Sequence, residues 1–286
     1  MKKKYLFIVN PISGGKKVNK SLLIRNNIDS SVEATIFETE YPGHARELTK
    51  QHHKDFDAVF AVGGDGTVNE VASELNSSNT PLGIVPFGSG NGLARTVNYS
   101  MNAKKVISTL HTLSPRKINT AFWNNELFLC AAGFGFDGEV AKQFSTHKSR
   151  GFFGYVKIIL SNYFKFKPFT ASINDKKYDN IFICSFLNAG QYGNNFKLSP
   201  HKSLISNDVE LVIIKKPNIF QAFGLFFYAY FGDVEKLSFV YREKGQNFTV
   251  KTPHQSCHLD GEYKESLKDN IATISFRKEG LTVLKQ

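Results

Sequence analysis

The chain has 286 residues, 41% of them apolar, and a formal net charge of +11. That length fits one large domain or two modest ones with a sizeable core, and the composition excludes a disordered or repetitive chain. The basic balance favours anionic partners such as nucleotides, nucleic acids or anionic lipid surfaces, although a solvated basic surface would carry the same charge.

In chain order, residues 5–9 read as a buried strand, too short for the apolar region of a signal peptide. A helix is predicted over 17–27, a strand over 32–38, a helix over 42–53, a strand over 57–62, a helix over 67–75, a strand over 82–86 and a helix over 102–113. Strands alternating with helices imply parallel βαβ units. After Pro115 the pattern changes. Strand-like runs dominate at 126–132, 169–174, 181–187, 209–214, 237–241 and 271–276, with a hairpin turn at Asp175-Lys176-Lys177. Two helices are predicted near 152–166 and 220–231. The expected division is an α/β domain over 1–117 and a β-rich domain over 118–286, with residues 280–286 open to return to the first domain.

The longest apolar segment, 219–231, is broken by Gln221 and is shorter than the roughly 20 residues that span a bilayer. A cytoplasmic protein is expected, with membrane contact only at the surface. The aromatic stretches 144–169 and 220–231 could line a lipid cleft or lie at a membrane surface, and are expected to be mostly core. Lys148, Arg150, Lys157, Lys165 and Lys167 interleave with the first and suit either an interfacial patch or a solvated helix face. Cys130, Cys184 and Cys257 are odd in number and far apart, which argues against a disulfide framework. No CxxC pair or His cluster reads as a zinc site.

Three Gly-rich loops carry the chemistry. Gly63-Gly64-Asp65-Gly66-Thr67-Val68-Asn69-Glu70 follows an apolar strand and opens a helix. Its glycines let a ligand approach the backbone, and a helix N-terminus offers N–H groups to a phosphate. Thr67 and Glu70 have the spacing of a capping box. Asp65 is harder to explain as a turn residue, because a carboxylate facing phosphates needs a metal or a proton. Pro86–Arg95 is a second such loop at the end of the next strand, where open α/β sheets bind ligands; Ser89 and Asn91 can donate there. Asn10–Lys17 is a third. There is no G-x-x-x-x-G-K-[ST], so the P-loop is excluded. Gly133–Gly138 matches G-x-G-x-x-G but lacks the acidic residue about 20 positions on that would hold a ribose.

These residues resemble the diacylglycerol kinase catalytic-domain family, which includes bacterial lipid kinases and sphingosine kinases. The match runs through Asn10–Gly14, Thr39 with Gly43-His44-Ala45, Gly63–Glu70, Pro86–Arg95, Gly133–Asp137, Asn188–Gly193 with Pro200, and Asp260-Gly261-Glu262. The Gly-Gly-Asp-Gly-Thr run is shared with NAD kinases; the later motifs favour the lipid kinases. The resemblance implies an N-terminal parallel-sheet α/β nucleotide-binding domain followed by a C-terminal β-sandwich-like domain, with ATP and substrate in the cleft between them. It implies that Asn10, Pro11, Ile12, Ser13, Gly14, Thr39, Gly63, Gly64, Asp65, Gly66, Thr67, Val68, Asn69 and Ser89 contact ATP. Glu262 matches the proton acceptor, and Asp137 is expected near the substrate hydroxyl. A structural Mg²⁺ site is implied in the segment Ser206–Glu210, with Asp208 as its candidate ligand.

The activity expected is ATP-dependent phosphorylation of a hydroxyl on a diacylglycerol-like or sphingoid-like lipid, in phospholipid metabolism. Mg²⁺ would bridge the phosphates with help from Asp65. The alternatives are a kinase for NAD or another soluble acceptor, and a catalytically silent nucleotide- or lipid-binding protein. The partners expected are the lipid and the inner membrane face as a peripheral contact. Nucleic acid is not expected, and a homodimer is left open.

Overall fold

The structure is a computed structural model that describes residues 2–15, 18–146, 152–193, 196–253, 256–264 and 270–285. Lys16, Lys17, Lys148 and Arg150, which the sequence places in the first loop and the basic patch, lie outside the described residues, as does the side chain of Lys157. The chain divides into two units, residues 1–120 with 278–286, and residues 121–277.

The first unit alternates β1 (Lys3–Val9), α1 (Lys20–Asn27), β2 (Val32–Glu38), α2 (His44–His52), β3 (Ala58–Gly63), α3 (Asp65–Leu75) and β4 (Leu82–Pro86). Two short helices, α4 (Gly92–Thr96) and α5 (Ala103–Ser108), follow, and then β5 (Ser114–Trp123), the strand in which the pattern changes. The strands lie in the order β2-β1-β3-β4, all parallel, and Val283 of the chain's last strand pairs with Leu82 in the same sense. Residues 5–9, all of β3 and all of β4 are buried. A sheet covered on both faces needs such unbroken apolar runs rather than alternation. Because β1 is flanked by β2 on one side and β3 on the other, the chain reverses its direction of winding there. The crevice beyond the carboxyl ends of β1 and β3 is where a sheet of this type takes a ligand.

The second unit is strand-rich, and each pairing described in it is antiparallel. Its elements are β6 (Glu126–Phe128), β7 (Ala131–Gly135), α6 (Phe136–Thr146), α7 (Phe152–Tyr163), β8 (Phe169–Ile173), β9 (Lys176–Leu187), β10 (Gln191–Gly193), β11 (Phe196–Lys197) and β12 (Val209–Lys215). They continue with α8 (Ile219–Phe231), β13 (Val240–Gly245), β14 (Asn247–Lys251), β15 (Cys257–Leu259), β16 (Glu262–Lys264) and β17 (Ile271–Lys285). The order is β16-β15-β7-β9-β8-β14-β17, with β12 pairing β9 and β13. Strand periodicity divides the core: Cys184, Phe186, Leu211 and Ile213 join one apolar cluster, and Leu187, Val212 and Ile214 join another beneath Leu225 and Ala229 of α8. The fold class is thus α/β, with a parallel sheet first and further strands after it.

Local details differ from the sequence reading. α3 starts at Asp65, with Gly64 as a cap that has no side-chain bond, so Thr67 lies inside the helix and no capping box forms. Glu70 instead accepts from the N–H groups of Gly43 (3.0 Å) and Ala45 (3.1 Å) at the start of α2. The helix expected over 102–113 stops at Ser108 and ends in a 3₁₀ turn. The strand expected over 237–241 runs from Val240 to Gly245. In α8, expected as core, only Leu225 and Ala229 are buried; the sheet beneath needs one face of the helix, not all of it.

Candidate active site

In the first unit the sequence-predicted residues gather at the carboxyl ends of adjacent parallel strands. Asn10 follows β1, Thr39 follows β2, Gly64 follows β3, and Ser89 lies in the loop after β4. Thr39 donates its N–H to Val9 (2.8 Å), Asn10 to Val62 (3.0 Å) and Phe87 to Gly63 (2.8 Å), so each loop is stitched to the neighbouring strand. The Asn10 amide reaches the Thr67 hydroxyl (3.2 Å). Two approaches require glycine. A Cβ on Gly88 would stand 2.7 Å from the Cα of Gly64, and one on Gly14, at φ +80°, would stand 2.3 Å from the Phe87 carbonyl oxygen. Backbone meets backbone at these points, where any side chain would push the loops apart. Val68 is an exception among the predicted contacts: its side chain is buried and its N–H is spent on Gly64 (3.1 Å) inside the helix.

Two charged side chains hold these loops. Lys20, at the start of α1, is buried, and its ammonium donates to the carbonyls of Asn10 (2.6 Å), Pro11 (3.0 Å) and Ser13 (2.9 Å) and to the Ser13 hydroxyl (3.1 Å). It also lies 5.1 Å from the centre of the Phe87 ring. Burial draws its pKa below the ordinary lysine value, partly offset by the charge of Glu38. Asp65 works in the opposite sense. Its carboxylate oxygens accept from the N–H groups of Asn91 (2.8 Å) and Gly92 (2.7 Å), which ties the loop after β3 to the start of α4. Asn91, in the left-handed region at φ 52°, closes the same loop through its side chain onto Gly88. Asp65 therefore has a structural duty that the sequence reading did not give it.

In the second unit Asp137 is buried in a network of side chains. One of its oxygens accepts from Tyr192, from His258 Nε2 (3.0 Å) and from Ser185 (3.1 Å), and the other from the N–H of Gly138 (2.9 Å). Burial alone would push its pKa up; the attraction of His258 and the hydrogen bonds from His258, Tyr192 and Gly138 prevail and hold it below the usual carboxylate value. His258 Nδ1 accepts the N–H of Gly261 (3.3 Å), which puts the imidazole proton on Nε2, facing Asp137. Asp260 and Gly261, at φ 51° and 85°, form the two-residue turn between β15 and β16. An Asp-Gly pair at positive φ is the favoured chemistry for such a turn. Asp260 also accepts three N–H groups, from Leu129 (2.9 Å), Cys130 (2.7 Å) and Ala131 (3.1 Å). Glu262 is exposed at the first position of β16, opposite Leu259. The network thus runs from Asp137 through His258 to the turn that carries Glu262. Asp137 and Glu262 are brought into one local system, in which Asp137 is buried.

Asp208, the expected metal ligand, has a different cation. The ammonium of Lys202, itself buried, donates to the side-chain and backbone oxygens of the half-buried Asp208. Burial lowers the Lys202 pKa, and the bond from Asp208 opposes that shift. Nearby, Glu210 pairs with Arg242 (2.7 Å) and accepts from Ser199 (2.6 Å). Among the described residues no three of His, Cys, Asp or Glu gather as a metal site. The donor set around Asp208 does not fit a divalent ion, because an ammonium of the chain itself holds the oxygen that would bind it.

Residues 4–123 match the diacylglycerol kinase catalytic domain. The resemblance read from the motifs therefore stands. A diacylglycerol kinase of Staphylococcus aureus (strain bovine RF122 / ET3-1) is 27% identical over 291 residues, covering 96% of this chain and 90% of that protein. One of Staphylococcus haemolyticus (strain JCSC1435) is 26% identical over 293 residues, covering 96% of this chain and 86% of that protein. The crystal structure of a diacylglycerol kinase from Bacillus anthracis str. Sterne superposes with a TM-score of 0.75 at 18% identity, over 99% of this chain and 97% of that one, and bears on the fold alone. The matched diacylglycerol kinase region contains all three Gly-rich loops. It also contains Lys20, which sequence reasoning missed because nothing in Lys16-Lys17-Val18-Asn19-Lys20 separates it from a solvated lysine. His258 was missed as well, since a single histidine beside a turn carries no signal of its own.

Two measurements test this geometry. Lys20→Met should leave the carbonyls of Asn10, Pro11 and Ser13 without their donor and cost about 1–3 kcal/mol of stability. An unchanged urea midpoint would mean that water serves those carbonyls equally well. For Asp137 the sign follows from its depressed pKa: its contribution is present above the ordinary value of 3.8 and is lost as pH falls through the lower folded value. Stability should therefore fall on acidification below that point. In Asp137→Asn this acid limb should flatten, which thermal melts across the acid range would reveal; an identical limb in the variant would assign the effect to other carboxylates.

Proposed function

We propose that the protein is an ATP-dependent lipid kinase that transfers a phosphoryl group to a hydroxyl of a diacylglycerol-like or sphingoid-like lipid. The observation that carries this reading is the meeting of three Gly-rich loops at the carboxyl ends of β1, β3 and β4, knit by Lys20 and Asp65. Such a cradle fits a nucleotide's phosphates. Its close backbone approaches leave no room for side chains, and α3 begins at Gly64 without a side-chain cap, so a phosphate can meet its N–H groups and positive dipole end. The names of the relatives support a kinase acting on a lipid.

Phosphoryl transfer depends on positioning and on neutralising charge more than on covalent help from the protein. The loops would orient the nucleotide, with Asn10, Thr39 and Ser89 at its margin. Mg²⁺ supplies charge neutralisation on the phosphates when it is bound. Both oxygens of Asp65 already accept N–H groups and, among the described residues, no cluster of acidic, His or Cys side chains surrounds it, so no step is assigned through a protein-held ion. Glu262 would take the proton of the acceptor hydroxyl. It is an exposed carboxylate on a turn fixed from both sides, by Asp260 on three N–H groups and by His258 on Gly261. Asp137 and Tyr192 would act through His258 by holding its ring, and so set where Glu262 stands.

The deciding assay is transfer of label from γ-labelled ATP to diacylglycerol, sphingoid bases and NAD side by side. Label in NAD but not in either lipid would replace this reading with a soluble-acceptor kinase. Asp65→Asn puts an amide N–H₂ against the N–H of Asn91 or Gly92, so ATP affinity and turnover should both fall. Wild-type ATP titration and turnover in that variant would remove Asp65 from the site. Glu262→Gln keeps shape and hydrogen bonding but removes the base. Its kcat should drop by at least about 100-fold with ATP affinity unchanged, the range of a general base. A parallel loss of ATP binding would instead make Glu262 part of the nucleotide site.

A further inference from the structure

The outer face of α8 is the most apolar exposed surface of the second unit. Phe220 is 82% exposed, Phe223 71%, Phe227 57% and Phe231 72%, and Phe226 and Tyr230 lie among them. The 13 residues Ile219–Phe231 include no charged side chain. A helix apolar all round belongs in a core or against lipid. α8 covers the sheet with one side only, through Leu225 and Ala229, and leaves an aromatic stripe outside. Stripe rings touch one another, with Phe227 and Phe231 centres 5.4 Å apart and Tyr230 and Phe231 4.8 Å apart, and so form a patch rather than scattered residues. Contiguous apolar surface of this kind marks an interaction site.

The neighbouring end of α7 extends the patch. Tyr163 donates to the Pro217 carbonyl (2.6 Å) just before the Asn218 cap of α8, and Ala222 packs on the cluster that holds Ile158 and Tyr163. Leu160 on α7 and Phe164 just after it are exposed as well. Lys165 and Lys167 follow the end of α7, where they line one hollow with Glu139; Lys216 gives its ammonium to the Phe166 carbonyl, and no acidic residue occurs in 160–174 or 211–232. We infer that the α8 face, with the end of α7, docks on an anionic lipid bilayer, its aromatic rings entering the interface and its lysines meeting the headgroups. Rings at the boundary and lysines at the headgroup level are the chemistry of an interfacial element. A second copy of the chain fits less well, because a two-fold contact through the same patch would set these lysines against one another. The inference rests on the lipid-kinase reading for its purpose, which is to bring the enzyme to a substrate that stays in the membrane.

The test is co-sedimentation of the full chain with phosphatidylcholine vesicles and with mixed phosphatidylcholine–phosphatidylglycerol vesicles, without nucleotide or acceptor. Wild type should bind the mixed vesicles more strongly, and added salt should reduce the difference. Phe223→Ser/Phe227→Ser should lower the partition coefficient by at least about tenfold while far-UV circular dichroism and Tm stay at wild-type values, since each ring loses its transfer from water. Wild-type binding by this folded variant would overturn the proposal, and so would failure of the wild type to bind mixed vesicles. A wild-type dimer that the double variant dissociates, with no vesicle binding, would also overturn it by making the face a contact between copies. As a second measurement, Phe227→Trp should be quenched by nitroxide-labelled lipids, and an unquenched Trp would contradict docking even if the serine variant failed to fold. Because no turnover is read, loss of vesicle binding counts against the α8 face, whereas vesicle binding without lipid phosphorylation counts against the kinase reading alone.

Discussion

The buried ammonium of Lys20 organises the ligand-facing end of the first unit. A charge removed from water is costly unless it is fully hydrogen-bonded, and here backbone and hydroxyl oxygens of a single loop satisfy it. The consequence is directional. In a planar trans peptide the carbonyl of one residue and the N–H of the next point opposite ways. With the Pro11 and Ser13 carbonyls turned in to Lys20, the N–H groups of Ile12 and Gly14 turn out. Ile12 gives its N–H to the Asn10 side chain (3.1 Å), and Gly14 sends its own away from the lysine. The positive charge inside the loop thus turns the N–H of Gly14 away from it, while that of Ile12 is spent within the loop on Asn10.

Asp65 and Asp260 apply the same device with the sign reversed. Each carboxylate gathers backbone N–H groups, those of Asn91 and Gly92 for Asp65 and those of Leu129, Cys130 and Ala131 for Asp260. Charge-assisted bonds of this type are stronger than neutral ones. Around Asp260 the second unit adds a further constraint. His258 uses one ring nitrogen on Gly261 and the other on Asp137, so the turn bearing Glu262 is anchored through a buried chain of hydrogen bonds. Removing any link alters the stance of an exposed carboxylate several residues away.

What the sequence made legible follows from how local each cause is. The unbroken apolar runs at 5–9, 58–62 and 82–86 could only be strands covered on both faces, and glycines after them marked the loops. Asp260 and Gly261 form a tight turn because two successive positive φ angles suit those residues. Thr67 and Glu70 misled because their spacing is local but the helix start is not: Gly63 and Gly64 let α3 begin at Asp65, and Glu70 was taken by α2. His258 gains its importance from Asp137, a partner distant in the chain, and Lys20 from carbonyls whose direction one sequence does not reveal. In α8, hydropathy measured how apolar the helix is but not which side meets the sheet, so a helix with most of its rings exposed looked like core.

The pair of Lys202 and Asp208 shows where resemblance and physical chemistry part. The family motif led to a metal at this segment, and the buried ammonium and half-buried carboxylate found there each require a partner of opposite charge. The requirement is for charge, however, and not for any particular carrier of it. Lys202 lies six positions before Asp208, close enough for its ammonium to reach both the side-chain and the main-chain oxygens of that residue. A lysine differs from a divalent ion in one respect that matters for the fold: it brings a single charge and three directed donors, enough for one carboxylate and one carbonyl but not for a shell of several acids. The surroundings match that smaller demand. Glu210, which is buried, pairs with Arg242, a cation that also reaches Asp233 and Glu235. Two acids with two separate cations need no shared ion, and the segment before β12 is held by charges that the chain itself supplies.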